Sequence, residues 1–594
     1  MAEAATGSLT GARWQMKTAD ESACQQLRSE LGIGRLLARA LVCRGIAGPA
    51  EAQQFLDHDL AALPDPFVMR DMDRAVALVQ EALASGARVR IYGDYDVDGV
   101  CATALLVRAL QGLVGEATSP CEAGLGSPQS RVDWYIPHRL DEGYGLNEEA
   151  VRQAHADGVG LLITVDCGST AVAQVALARQ LGMQVVVTDH HQPGEELPEA
   201  PMLNPWRADC PYPFKELAGV GVAFKLVSAL ARAWGLPAGR ELRFLDLVCL
   251  GTVGDVVPLL GENRLFVQHG LQQLANTRKR GLAALMEAAR VRHRGAVGAR
   301  QVAFGLAPRI NAAGRMEHAQ AAVRLLLTRD EAEARALAGQ LSEQNKRRRD
   351  EERQILAEAE QRVSDEVDLA RERVIVLASE HWHPGVIGIV ASRLVERYHR
   401  PALLIALSDG VGKGSGRSVP GLNLWETLRD CARQGGLTRY GGHHYAAGFS
   451  LPEERVGALR QHINEIAEGR LAMADLVRHI EVDGEAELAE LGLESVSELN
   501  RLAPFGMSNP APVLATRGLQ VEQAARVGDG SHLSLWLRDE AGRRVGAIWF
   551  GEGRLGDELP EGAKVDLCHR PRLDEWNGET RVRLHVEDAA LHEA

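Results

Sequence analysis

Three aspartates, Asp94, Asp96 and Asp98, alternate in the segment IYGDYDVDGVCATALL at residues 91–106. They follow an apolar run that reads as a strand, and in extended backbone residues i, i+2 and i+4 face one way. Three carboxylates on one face repel one another unless a cation sits among them. Two further polar groups stand at matching places: Asp166 follows the run Leu161 to Val165, and Asp189-His190-His191 follows the run Gln184 to Thr188. Asp255 is the single acid in the apolar stretch LVCLGTVGDVVPLL, where an unpaired carboxylate is costly and calls for a cation or a donor.

Taken singly, each of these residues has a plain alternative as a helix cap, a turn or a loop residue. Taken together, they form a ligand set. Carboxylate oxygens suit Mg²⁺ or Mn²⁺, and one or two imidazoles tilt the choice toward Mn²⁺. The set exceeds what one divalent ion needs, whereas two ions about 3.5 to 4 Å apart can clamp the attacking and leaving oxygens of a displacement at phosphorus. The residues alone imply metal-dependent hydrolysis of a phosphoester or phosphoanhydride.

Delivering these groups to one rim requires an α/β sheet, because ligands bind outside the carboxyl ends of its strands. Between Ala87 and Thr188 short apolar runs alternate with helical patterns, which predicts a mostly parallel sheet covered by helices. Gly99 is expected to open the helix after the aspartates, and residues 112–130, rich in Gly, Ser and Pro, to form a surface loop. Thr328 and Glu331 form a T-x-x-E capping box before about 35 residues rich in Ala, Leu, Glu and Arg, which predicts one long connector helix. Its polar surface marks it as a solvated spacer. A second α/β unit is expected from Val374 to about residue 470. From His532 onward the pattern has period two, with Leu533, Leu535 and Leu537 on one face, and Asn577-Gly578 signals a hairpin, so a small β-barrel follows. The expected divisions are 1–327, 328–368, 369–470 and 471–594.

The chain of 594 residues carries 66 Lys and Arg against 80 Asp and Glu, a net charge of -14 that argues against a uniformly polybasic surface. The sign reverses locally: residues 278–315 hold nine Lys or Arg and one acid, Glu287. Within that segment RINAAGR offers Arg309, Asn311 and Arg315, whose small neighbours permit close backbone approach to phosphate. GSGRS at 414–418 has the same logic, with Ser415 and Arg417, although a plain Gly-Ser turn reads equally. Nine dispersed cysteines without a C-x-x-C point to reduced thiols in the cytoplasm, and there is no apolar run long enough to span a membrane. Trp536 falls opposite the leucine face and is expected to be exposed, with Trp549 and Phe550 in the core. Trp576 is a further stacking candidate.

GDYDVDG, TVDCGS, TDHH and CLGTVGDVVPL resemble the four successive motifs of the DHH phosphoesterase family. RINAAGR, HPGVIGIVASRL, GSGRS and GGHHYAAG narrow the resemblance to its bacterial single-strand-specific exonuclease branch across roughly residues 50–590, with a DHHA1 second domain and an OB-fold barrel. That resemblance implies release of mononucleotides from the 5′ end of single-stranded DNA with two Mn²⁺ or Mg²⁺ ions, in DNA repair and recombination. It implies Asp96 and Asp98 as ligands of the two metals, Asp166 as their bridge, and His190 and Asp255 as completing one site. Asp94 lies beside them, and His191 faces the scissile phosphate or leaving oxygen. Asp94, Asp166 and His191 are thus the implied catalytic residues, with no Ser or Cys nucleophile. The resemblance further implies that Arg139, Ser415 and Arg417 recognise the 5′ phosphate, that Arg315 and Arg393 line the strand path, and that Gly441, Gly442, His443 and His444 contribute from the second domain. A ring of lobes and barrel that admits a single strand but not a duplex is the implied architecture. The implied partners are single-stranded-DNA-binding protein and a RecQ-type helicase, and a monomer is expected. The rival readings are a DHH hydrolase of short oligonucleotides or cyclic dinucleotides, and a non-catalytic nucleic-acid scaffold.

Overall fold

A computed structural model describes residues 7–117, 131–139, 141–291, 297–576 and 579–592. It divides into two compact units, 58–351 with 504–510, and 7–57 with 352–503 and 511–592.

The first unit is built on a five-stranded sheet in the order Val132–Tyr135, Arg88–Gly93, Val159–Val165, Gln184–Thr188, Met202–Leu203, with every neighbouring pair parallel. Both faces are covered, as parallel sheets require. Ile91, Ile163, Val165 and Val186 pack with the helices Val97–Ala117, Gly219–Ala233 and Leu245–Asp255, while Tyr92, Leu162 and Val187 pack with Glu148–Ala156 and Val172–Gln180. Gly93 pairs with Val165, and Val165 with Thr188, so these three strands end side by side. The residues that follow them emerge on one rim.

The backbone there corrects the extended reading of the aspartates. The helix begins at Val97, ahead of Gly99, so Asp98 lies in its first turn and Asp96 caps it, accepting from the amides of Asp98 (2.9 Å) and Gly99 (3.2 Å). The same helix runs on to Ala117 where a loop was expected from residue 112; the remainder of that expected loop, 118–130, lies outside the described residues. Asp255 is the last residue of a helix rather than part of a turn after Gly254, and Val256 ends that helix in the left-handed region at φ 64°.

The long helix spans Glu331–Glu366. Its cap sits two residues later than the T-x-x-E frame: Asp330 Oδ1 accepts from the Glu333 amide (2.7 Å), while Thr328 Oγ1 bonds the Glu333 carboxylate (2.6 Å). It is also more than a solvated spacer. Ala334, Leu337, Ala338 and Leu341 are buried in the core of the first unit, and Ile355, Ala359 and Val363 are buried further along it.

In the second unit a five-stranded sheet runs Arg439–Gly442, Ala446–Pro452, Val411–Arg417, Ala402–Ser408, Ile375–Ser379. GSGRS therefore belongs largely to a strand and is not a Gly-Ser turn. Gly414 gives way to the Phe449 ring, which a Cβ there would overlap, and alternation sends Ser415 and Arg417 to the opposite face. The barrel orders its strands Gly484–Glu485, Leu514–Val527, His532–Arg538, Arg544–Trp549, Glu579–Leu591, Lys564–Trp576, and closes by pairing Leu514–Val527 with Lys564–Trp576. Leu533, Leu535 and Leu537 are buried and Trp536 is 37% exposed, as the alternation predicts. Trp549 is buried, but Phe550 is 52% exposed, because it follows the last residue of its strand and stacks edge-on against His532 and His585. The hairpin tip 577–578 and the Trp576 side chain lie outside the described residues.

The segment 7–57 groups with the barrel instead of the parallel sheet, against the expected unit 1–327. Arg13–Met16 pairs in parallel with His479–Val482, and the Trp14 indole donates to Asp588 (2.6 Å), which also accepts from Ser8 and Thr10. A buried carboxylate with three donors fastens the start of the chain to its last strand.

Candidate active site

Seven of the expected residues converge on the rim of the parallel sheet. Two oxygen-rich groups, Asp94-Asp96-Asp166 and Asp98-His190-Asp255, each bring their ligand atoms within 4.8 Å of one another, and Asp166, His190 and His191 form a third. His190 Nε2 is 3.1 Å from Asp166 Oδ1, 3.6 Å from Asp255 Oδ2 and 3.8 Å from Asp98 Oδ2. Asp166 and His190 thus stand between the groups.

Local structure fixes each side chain. Asp166 turns away from its strand with a φ of 60°, a left-handed conformation that costs a non-glycine residue of order 1 to 2 kcal/mol. Its amide donates to Thr188 O at 3.0 Å, which holds that turn. Asp98 receives the amides of Gly219 (2.6 Å) and Val220 (2.8 Å), so the start of the Gly219–Ala233 helix points its donors at this carboxylate. Asp189 accepts from the amides of Ser169, His190 and His191 and from His191 Nδ1 (2.8 Å). Asn204 donates to Ser169 Oγ and His191 O, and the Tyr144 hydroxyl lies 3.0 Å from His191 Nδ1.

Burial sets the charge state. It pushes the carboxyls of Asp94, Asp98 and Asp166 well above the ordinary range, and their carboxylate neighbours push the same way. Asp255 rises to about 7 through burial and the nearby Asp96. Asp189 goes the other way: burial opposes ionisation, but the bond from His191 outweighs it and brings Asp189 down to about 2. Burial likewise disfavours a charged His191, yet Asp189 carries it up to about 9. Asp94 Oδ1 and Asp255 Oδ2 are buried without a hydrogen-bond partner among the described residues. Hard oxygen donors, one imidazole between them and unsatisfied carboxylate oxygens fit a pair of divalent cations.

Other expected residues have different surroundings. Arg139 lies over the Tyr95 ring (4.8 Å), and both Arg139 and Arg315 act electrostatically on the Tyr95 phenol beside the aspartates. Asn311 uses its Oδ1 to accept from the Val97 amide (2.8 Å), which caps the helix carrying Asp98. Arg309 donates to Ser342 on the long helix (3.1 Å). In the second unit, Arg393 is tied to Glu352 (3.3 Å) and Glu396 (3.0 Å). Ser415 and Arg417 lie together, 3.4 Å apart, against Gly388. Gly442 has φ 141° and admits no Cβ beside Ala446 O, while the exposed His443 turns the chain with its amide on that same oxygen (2.7 Å).

Gly219, Val220 and Asn204 complete the site without having been singled out from sequence, and Asp189, expected among the polar groups of the rim, holds His191 instead of lying in either oxygen-rich group. The glycine pair in LAGVGVA was the available signal for the first two.

Residues 88–252 match the DHH family, N-terminal domain, 371–469 the DHHA1 domain and 482–588 the RecJ OB domain. The parallel sheet with its acidic rim is therefore that of a DHH-family protein. The single-stranded-DNA-specific exonuclease RecJ of Bacillus subtilis (strain 168) is 38% identical over 98% of this chain and 71% of its own length, and that of Escherichia coli (strain K12) 37% over 93% and 95%. The crystal structure of RecJ in complex with Mn²⁺ from Thermus thermophilus superposes with a TM-score of 0.82 at 34% identity, covering 98% of this chain and 80% of that one. Its Mg²⁺ counterpart gives 0.75 at 32%, covering 98% and 79%. The chain belongs to the RecJ family of single-stranded-DNA-specific exonucleases.

Proposed function

We propose that this protein is a single-stranded-DNA-specific exonuclease that removes mononucleotides from the 5′ end by two-metal phosphodiester hydrolysis, in DNA repair and recombination. The observation that carries the reading is the pair of oxygen-rich groups, Asp94-Asp96-Asp166 and Asp98-His190-Asp255, which meet where His190 Nε2 lies 3.1 Å from Asp166 Oδ1. Asp94, Asp96 and Asp166 would hold one ion and Asp98, His190 and Asp255 the other. Two Mn²⁺ or Mg²⁺ ions held there would supply Lewis-acid charge at the phosphate and an activated water. The chain supplies the rest. Amides of Gly219 and Val220 fix Asp98, and the strained turn aims Asp166. Asp189 engages His191 Nδ1 and keeps the imidazole protonated at neutral pH, so that its Nε2 is the atom to donate to a phosphate or leaving oxygen.

Strand binding is assigned to Arg139 and Arg315 near the aspartates, to Ser415 and Arg417 for a 5′ phosphate, and to Gly442 and His443. Arg309, Asn311 and Arg393 are better read as positioning residues, given their bonds to Ser342, Val97 and Glu352. The barrel adds a groove of about 440 Å³ in which the exposed Trp536 lies under Arg544, 5.7 Å away, with Arg543, Arg581 and Arg583 alongside. An aromatic over a basic groove binds single strands by stacking. Family membership supports single-stranded-DNA-binding protein and a RecQ-type helicase as partners, a monomer, and action in the cytoplasm. No helix among the described residues is long and apolar enough to cross a membrane.

Asp166→Ala tests the reading. It removes a ligand of one group that also touches His190 of the other, so nuclease activity is expected to fall by at least about a hundredfold while DNA binding persists. An active variant would contradict it.

A further inference from the structure

The first unit carries a second charged concavity, beside the second half of the helix that begins at the metal cluster. Arg108 lies on that helix ten residues after Asp98, roughly 15 Å along its axis. The cavity measures about 1150 Å³, and its charged lining comprises Arg108, Arg243, Arg278, Lys279, Arg280 and Arg329, with Asp246 as the one carboxylate.

Two of the cations are neutralised. Lys279 sits 2.7 and 2.8 Å from the two Asp246 oxygens, and Arg280 pairs with Glu331 at 2.7 Å. The other four have no carboxylate partner among the described residues. Arg108 is mostly buried, and its guanidinium donates only to the backbone carbonyls of Leu326 (2.8 Å) and Leu327 (3.2 Å). Those carbonyls take two of its N–H groups, and Asp246, with no ion pair to it among the described residues, offsets its charge only in part. Burial pushes Arg108 down to about 10, with repulsion from Arg329 and Arg243 acting the same way and Asp246 against it, so both arginines lie within electrostatic reach of Arg108. The Arg243 group is spread over the Phe244 ring, 4.9 Å away, rather than over an acid.

Burying an arginine among like charges is costly unless an anion completes the cluster. Arginine forks match phosphate oxygens bidentately, and the cavity is large enough to enclose a small ligand. An extended strand spaces its phosphates along a groove, whereas guanidiniums gathered about one largely buried arginine suit phosphates bunched on one small molecule.

We propose that this cavity binds a compact polyphosphate, either inorganic pyrophosphate or the phosphate tail of a nucleoside triphosphate, at a site separate from the metal cluster. The test is calorimetric titration of the full-length chain, in Mg²⁺ buffer, with pyrophosphate and in parallel with ATP. Tighter ATP binding assigns the site to nucleotides, and equal affinity assigns it to the phosphates alone. Arg243→Ser/Arg329→Ser alters two exposed side chains and is expected to weaken binding by about tenfold or more, with cleavage of single-stranded DNA in the absence of pyrophosphate held within about twofold. Asp166→Ala is expected to retain the binding. Unchanged affinity in the double variant, loss of binding in Asp166→Ala, or a parallel fall in DNA cleavage by the double variant would each overturn the proposal.

Discussion

A Cβ at position 219 would lie 2.6 Å from Oδ1 of Asp166, while the amide of Gly219 donates to Asp98 at 2.6 Å. One glycine thus lets a helix N-terminus press between two carboxylates of the cluster. Gly219→Ala keeps the helix former and adds one methyl group. Overpacking of this kind costs about 1 to 3 kcal/mol, so the variant is expected to melt several degrees lower and to lose activity with metal present. Thermal melting and initial rates check both; a variant with unchanged activity would show that the close approach has no bearing on the site.

Asp189 and His191 form a charged pair that titrates in two windows. The depressed Asp189 contributes stability above its unfolded value near 3.8, and that contribution is lost as pH falls toward 2. The raised His191 contributes stability that is complete below about 6.5 and is lost as pH rises through 9. Asp189→Asn removes the charge that raises His191. The alkaline limb of the pH–rate profile is expected to move to lower pH, and an unmoved limb would separate His191 from the chemistry.

The carboxyls of Asp94, Asp98, Asp166 and Asp255 favour protons in the folded chain, so rising pH charges them against their own burial and one another. Divalent metal competes with those protons. Chelator-treated protein is expected to lose thermal stability as pH rises from about 4 through about 7, the value of Asp255, and added Mn²⁺ to raise the melting temperature more at about pH 8 than at about pH 6. An equal shift at both values would argue against metal binding by these acids.

Trp536 presents its ring on the surface of the barrel beside Arg544. Trp536→Ala is expected to weaken single-strand binding by about 1 to 3 kcal/mol, the range of one base stacked on an aromatic ring, with little change in stability. Fluorescence anisotropy with a labelled oligonucleotide, in a buffer without divalent metal, reads this directly.

The cluster was legible because its members close strands: alternation of apolar runs with helices places Asp94, Asp166 and His190 on one rim before any coordinates. What stayed hidden depends on distant partners. Asp98 is fixed by amides 121 and 122 residues away, which no local pattern announces. Trp14 belongs with the barrel because its indole reaches Asp588, at the other end of the chain. GSGRS resembles a turn in composition, yet Phe449 of a neighbouring strand demands glycine at 414, which composition alone cannot distinguish from turn chemistry. Asn311 and Arg309 look like phosphate ligands by type, and their bonds to Val97 and Ser342 are contacts that residue type alone does not announce.

The central claim is metal-dependent removal of nucleotides from the 5′ end of single strands. Digestion of a single-stranded oligonucleotide labelled at its 5′ or its 3′ end, beside the matching blunt duplex and with Mn²⁺ or chelator, tests it most directly. Immediate release of the 5′ label as a mononucleotide, late release of the 3′ label, an intact duplex and no reaction with chelator are expected. Early release of the 3′ label, or equal digestion of the duplex, would contradict the claim.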